Sequence, residues 1–207
     1  MRGPKRGYHH GNLTEALVEA ALELIARYGP AGFTFAEVTR SVGVSAAAPY
    51  RHFRDRDALM SEVARRGFER FAARLESAWD DGRPDAMTAL RHVGHAYLAF
   101  ARAEPAYYAA MFEARLPPDT SRELGRAADQ AFAVLRRACE ALIADMPQDR
   151  RPPALMMSLH VWALAHGIAS LFGRGDKARR KVPMPAEDLL EAAILIYLDG
   201  LHLPPRG

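Results

Sequence analysis

Residues 41–59 read SVGVSAAAPYRHFRDRDAL. The stretch holds a glycine where a turn belongs and a proline where a helix is wanted. The run before it is helical. Thr34 and Glu37 have the spacing of a reciprocal N-terminal cap, and Phe35, Val38 and Val42 repeat as one apolar stripe, so the spacing predicts a short helix over 35–42. Gly43 suits the left-handed residue that ends a helix, and Ser45 can cap the next one. Pro49 then falls at the end of the first turn of that helix. A proline deep inside a helix costs about 3 kcal/mol, but at the edge a shifted start or a 3₁₀ first turn relieves it. The expectation is helix, tight glycine turn, helix, with Tyr50 and Phe53 anchoring the second helix.

Outward from that unit the chain is helical throughout. One helix is expected from an Asn12 cap, with Leu13, Leu17, Ala20, Ala21, Leu24, Ile25 and Tyr28 at helical spacing, stopped by Gly29 and Pro30. A long helix follows from Asp55 or Asp57 to Trp79, then helices over about 85–103, 105–114, 119–145, 153–172 and 186–202, separated by proline-rich breaks. The fold class is all-α with about nine helices. The chain is expected to divide into an N-terminal domain over 1–56, with its helix–turn–helix over about 33–53, and a C-terminal helical body over 57–207. The 207 residues suffice for a sizeable core. The single cysteine, Cys139, excludes an intrachain disulfide and fits a cytoplasmic location; its apolar neighbours point to burial. Residues 154–172 approach the length of a membrane span, but their histidines and serines favour a buried helix, and no membrane partner is expected.

The net charge is only +3, yet basic residues cluster at Arg2, Lys5 and Arg6 and again at Arg51, Arg54 and Arg56. Local basic patches suit a polyanion. The second helix of such a unit can lie in a major groove, which is about 12 Å wide. Ser45, Ala46, Ala47 and Ala48 would let the backbone approach base edges, and alanine methyls can touch thymine methyls. Direct readout there is thin, so Thr39, Arg40, Arg51 and DNA shape would share the specificity. Tyr50 and His52 can donate to phosphates, Arg54 and Arg56 can neutralise them, and the helix start at Thr34 offers backbone amides. The arm with Arg2, Lys5 and Arg6 could enter a minor groove. The adjacent His9 and His10 are poorly placed to chelate one ion, so no metal and no cofactor are expected.

Two further clusters bear on regulation. Tyr97, Phe100, Tyr107, Tyr108, Met111 and Phe112, joined by Phe71, Leu75, Phe132, Met156, Trp162 and His166, could wall a cavity for a largely apolar small molecule. The helices over 153–172 and 186–202 are apolar on more than one face. Leu164, Ile168, Leu171, Leu190, Ala193, Ile194, Tyr197 and Leu201 are expected to form a homodimer interface from two helices of each copy. The basic run KARRK at 177–181 reads as a solvated loop.

The signature Thr34–Phe35, Val38, Val42–Gly43–Val44–Ser45, Tyr50–Arg51–His52–Phe53, Arg56 and Ala58–Leu59 closely resembles the N-terminal motif of the TetR/AcrR family of transcriptional regulators, over roughly residues 8–60. That family more often has lysine at the place of Arg56 and threonine–leucine at the place of Ala48–Pro49. Tyr8–His9–His10–Gly11–Asn12–Leu13 together with Trp162, His166 and Gly167 look like the subgroup named for Trp–His–Gly. The resemblance implies a homodimer on a double-stranded operator of two half-sites, an effector pocket in the C-terminal body, and repression as the usual mode. An enzyme or a helical interaction protein are the alternatives. The sequence offers neither paired carboxylates in a defined setting nor a phosphate loop, metal spacing or nucleophile–base motif to support catalysis.

Overall fold

A computed structural model describes residues 13–116, 121–172 and 184–201. Eight α-helices occur among them: α1 Leu13–Tyr28, α2 Phe35–Val42, α3 Arg56–Trp79, α4 Ala86–Ala103, α5 Pro105–Phe112, α6 Arg122–Ala144, α7 Ala154–Phe172 and α8 Ala186–Gly200. The expected Asn12 cap and the run at 177–181 lie outside the described residues.

Local chemistry sets the boundaries. Thr34 and Glu37 form the reciprocal cap: the Glu37 amide donates to the Thr34 hydroxyl at 3.3 Å, and the Thr34 amide donates to the Glu37 carboxylate at 2.7 Å. Gly43 adopts φ 77°, ψ 28°, and its amide donates to the carbonyls of Thr39 and Arg40. Asp55 caps α3 by accepting from the Ala58 amide at 2.8 Å; Asp85 and Ser121 do the same for α4 and α6. Pro105 opens α5 at a position whose N–H would be unpaired in any case.

The ninth expected helix is the one that differs. Between Gly43 and Asp55 only a 3₁₀ turn over Pro49–Arg51 forms. An α-helix there would need the Pro49 amide to donate to the Ser45 carbonyl, and proline has no N–H. The Ala48 amide takes that carbonyl instead, at 3.1 Å, and Arg51 and His52 continue the three-residue pattern to Ala48 and Pro49. The cap position moves from Ser45 to Ala48, which has no side-chain acceptor to offer. Pro49 and Phe53 are buried and hold the turn to the body.

α3 runs through the middle of the molecule. It packs on α1 near its start and on α4, α5 and α6 further along. Its buried residues Leu59, Met60, Val63, Phe71 and Leu75 join those of α4 and α6 in one core with Leu90, Val93, Leu98, Val134 and Cys139. α7 and α8 pair with each other and with α4. α7 is long and apolar enough to cross a membrane by length and composition. One of its faces, with Met157, Val161, Ala165 and Ile168, is buried in this core.

Gly43 has open space where a Cβ would stand, so its backbone conformation alone resists substitution. Gly43→Ala is expected to lower the unfolding free energy by about 1 kcal/mol. Urea denaturation of the two proteins measures the difference.

Candidate nucleic-acid interface

The turn between α2 and α3 is a shelf of exposed side chains. Arg40, Ser45, Ala46, Ala47, Tyr50, Arg51, His52 and Arg54 are exposed, and Ala48 is half-buried. Tyr50 is 60% exposed, with its ring edge against Phe35 at 5.2 Å. The Nδ1 of His52 lies 3.0 Å from the Thr14 hydroxyl, which ties the shelf to the first turn of α1. The Arg54 side chain is 86% exposed and, among the described residues, pairs with its neighbour Asp55 at 2.8 Å. A pair that exposed is easily exchanged for a phosphate.

Three residues expected to touch DNA are already engaged elsewhere. Thr39 is 7% exposed, and its hydroxyl donates to the Phe35 carbonyl at 3.0 Å, so it serves α2 internally. Arg56 turns inward. Its guanidinium donates to the carbonyls of Pro30 and Phe33 and lies over the Phe33 ring, 4.9 Å from the centroid. Charge-assisted bonds of this kind are each worth about 1.5–3 kcal/mol, so Arg56 locks the α1–α2 loop onto the start of α3. Thr34 has both its hydroxyl and its amide occupied by the Glu37 carboxylate, so its polar groups serve the cap. Arg2, Lys5 and Arg6 lie outside the described residues.

Behind the shelf, Arg66 of α3 makes a two-pronged ion pair with Glu15 of α1, both contacts at 2.5 Å, and a third contact with Glu62 at 2.7 Å. Hydrogen bonding from Arg66 holds the Glu15 carboxyl below the usual carboxylate range. The two helices are thereby fixed in register.

Some turns along α3 lies a cavity of about 270 Å³. Phe68, Phe71 and Leu75 line it from α3, Tyr97 from α4, Met111 and Phe112 from α5, Ala128, Ala131, Phe132 and Leu135 from α6, and Trp162 from α7. Phe71, Leu75, Tyr97, Met111, Phe112, Phe132 and Trp162 were expected there. Phe100 is instead packed behind Phe71, with centroids 5.0 Å apart. Tyr107 faces α3 on the other side, under the Arg70 guanidinium. Met156 points outward from α7 and is exposed. Tyr108 and His166 stand behind the wall: His166 Nδ1 is 2.9 Å from the Tyr108 hydroxyl and 3.1 Å from that of Tyr97. Phe68, Ala128, Ala131 and Leu135 are the lining residues that pattern reading missed. The three on α6 lie along the amphipathic stripe of that helix, so the signal was present but indistinguishable from core.

Two family models match the chain. One described as bacterial regulatory proteins, tetR family, covers residues 17–63, and one described as the tetracyclin repressor-like C-terminal domain covers residues 90–196. The chain belongs to the TetR family. This TetR-family regulator is 30% identical to a structure from Rhodococcus sp. RHA1 described as a protein of unknown function; the match covers 96% of this chain and all of that one, with a TM-score of 0.73. It is 24% identical over 194 residues to the uncharacterized HTH-type transcriptional regulator YobS of Bacillus subtilis (strain 168), covering 92% and 93% of the two chains. The fatty acid degradation regulator FadR of Bacillus halodurans shares the fold with a TM-score of 0.71 at 12% identity, over 94% and 99% of the chains. TetR-family members are DNA-binding transcriptional regulators, and this one is such a regulator.

On the opposite end of the regulator, α7 and α8 leave an apolar face uncovered in the single chain. Leu155, Leu159 and Leu171 of α7 and Leu195 and Ile196 of α8 are exposed, Ile196 at 73%. His160, Ala163, Leu164, Ala193, Ile196 and Tyr197 line a groove between the two helices. Of the residues expected at a dimer interface, Leu164, Ala193 and Tyr197 line that groove and Leu171 is exposed. Ile168, Leu190 and Ile194 are buried in the chain's own core, and Leu201 is half-buried against it. Both faces of α8 are apolar, and the one with four-residue spacing at 190, 194 and 198 turned inward.

Burial lowers the His166 imidazole from its ordinary value, because nothing nearby repays the desolvation of a charge. The unfolded chain binds that proton more readily. The stabilisation is therefore complete above roughly pH 6.5 and is lost as the pH falls towards the folded value. Proton NMR is expected to show the His166 ring titrating below 6.5. Thermal unfolding of His166→Gln should depend less steeply on pH across that window than the wild type.

Proposed function

We propose that this regulator recognises a two-half-site operator through the shelf between α2 and α3, acts as a homodimer joined through the outer face of α7 and α8, and is released from DNA by a largely apolar molecule held in the cavity. The observation that carries the reading is the exposed row of small residues at 45–47, continued by the half-buried Ala48, with Arg51 and Arg54 exposed beside it. Small side chains let backbone approach base edges, and exposed arginines exchange solvent counterions for phosphate. The contacting set is Arg40, Ser45, Ala46, Ala47, Ala48, Tyr50, Arg51, His52 and Arg54, with the arm at Arg2, Lys5 and Arg6 reaching a minor groove. Thr39 and Arg56 act from inside, by shaping the shelf.

The DNA-binding domain ends at residue 56 and the effector and dimer body begins at 57. Support comes from the Asp55 cap, which starts a new helix there. α3 belongs to both parts: its first turn borders the shelf, and Phe68, Phe71 and Leu75 wall the cavity. A ligand that favours one placement of α3 shifts operator affinity by the difference in its affinity for the two placements. We infer the Trp–His–Gly subgroup from Trp162, His166 and Gly167; in support, Trp162 and His166 both reach the Tyr97 hydroxyl. Repression from a cytoplasmic location is the mode that fits.

Sequencing the genomic fragments retained by the purified protein tests the DNA reading. The expected result is an inverted repeat with half-sites about one helical turn apart, roughly 34–36 Å. Arg54→Ala should retain the same fragments more weakly and with a shallower salt dependence. Retention without symmetry or sequence preference would reject the reading. For the dimer, Ile196→Glu places a charge on the exposed face and is expected to leave a folded monomer. Sedimentation of that variant as a dimer would show that the copies meet elsewhere.

A further inference from the structure

Gly67 stands mid-way along α3, one residue before Phe68 and one turn before Phe71, both of which line the cavity. A Cβ built on Gly67 would lie 2.8 Å from the Met111 sulfur, 2.9 Å from its Cγ and 3.3 Å from the Tyr107 ring. The first two separations are shorter than real carbon contacts, so Met111 could not keep its place beside an alanine. The backbone of Gly67 is helical, and alanine suits a helix interior better than glycine. What this glycine provides is therefore space. The hollow over its Cα seats the thioether of Met111, and Met111 is at the same time part of the cavity wall.

A methionine turns about three side-chain bonds, so it can leave that hollow while the backbone stays in place. The thioether borders the Tyr107 ring, which the Arg70 guanidinium covers at 5.0 Å, and the cavity, which has room for it. That room is limited. At interior packing density a cavity of about 270 Å³ holds a guest of about 200 Å³, and a methionine swung inward takes a share of it. Six aromatic rings line the space, and among the described residues the lining has no carboxylate, amine or guanidinium. Rings welcome a further ring edge-on or offset, whereas an ion would lose its hydration without a counter-charge. We infer that Gly67 and Met111 together set the size limit of the effector, and that the guests within the limit are uncharged aromatic molecules of one or two rings. The inference rests on the cavity being the effector site.

Three probes test it on the full chain: toluene, biphenyl and biphenyl-4-carboxylate, with affinities read from tryptophan fluorescence, since Trp162 lines the cavity. The wild type is expected to bind both hydrocarbons, and the carboxylate at least about tenfold more weakly than biphenyl. Gly67→Ala should weaken biphenyl by about tenfold and toluene far less, because the displaced thioether overpacks the cavity only for the larger guest. Adding Met111→Ala to Gly67→Ala should restore biphenyl. In wild-type protein with methyl-labelled methionine, the Met111 resonance should move more with biphenyl than with toluene. Equal losses for the two hydrocarbons in Gly67→Ala, no loss for biphenyl, or a loss that the double variant leaves in place overturns the size limit. Should Gly67→Ala not fold, Met111→Ala alone decides: it is expected to raise the preference for biphenyl over toluene, and an unchanged preference overturns the inference. Tighter binding of the carboxylate than of biphenyl overturns the uncharged class. Failure of both hydrocarbons to bind the wild type, or binding that survives filling of the cavity by Ala131→Leu, would instead reject the cavity as the effector site.

Discussion

One uninterrupted ladder of backbone hydrogen bonds, from Arg56 to Trp79, ties this protein together. At 1.5 Å per residue its 24 residues span about 36 Å. The lower end is clamped, since Arg56 grips the carbonyls of the α1–α2 loop and Arg66 grips Glu15. The middle is part of an aromatic wall. One continuous helix thus joins the aromatic wall to the clamp. The ion pair to Glu15 joins α1 to that helix, and α1 meets the shelf through Thr14 and His52.

Much of this was legible in the chain because the signals are local. The Thr34–Glu37 cap, the stop at Gly43, the start at Asp55 and the proline breaks each report on a few consecutive residues, and the helices they bound lie within a few residues of their expected positions. The exposed turn was legible for the same reason, since the glycine stop and the small residues after it are consecutive in the chain. The state of the segment after Gly43 was harder to read. The proline permits either a shifted α-helix or a 3₁₀ turn, and the choice depends on whether the Ala48 amide or a later one captures the Ser45 carbonyl. Tertiary packing of Pro49 and Phe53 settles that.

Where faces had to be assigned, sequence fell short for a physical reason. α7 and α8 are apolar around most of their circumference, and hydrophobicity does not say which stripe meets its own chain and which meets another surface. Arg56 presents a related problem. A basic residue beside two other arginines reads as a phosphate contact, but a guanidinium is also the best donor to a pair of loop carbonyls, and only the fold brings Pro30 and Phe33 within its reach. His166 was placed in the cavity by its neighbours Trp162 and Tyr97. It stands one layer behind them, holding the hydroxyl that the cavity sees.

The three-residue winding at Pro49 has a geometric corollary. Where an α-helix staggers its side chains by 100° per residue, a 3₁₀ turn stacks every third one almost eclipsed. The Arg51 amide donates to the Ala48 carbonyl, so Ala48 and Arg51 stand nearly in one column, like neighbouring teeth on a straight comb. A comb of that kind has a flat edge, and its fit to a curved furrow is decided by how far the furrow can open or close to meet it.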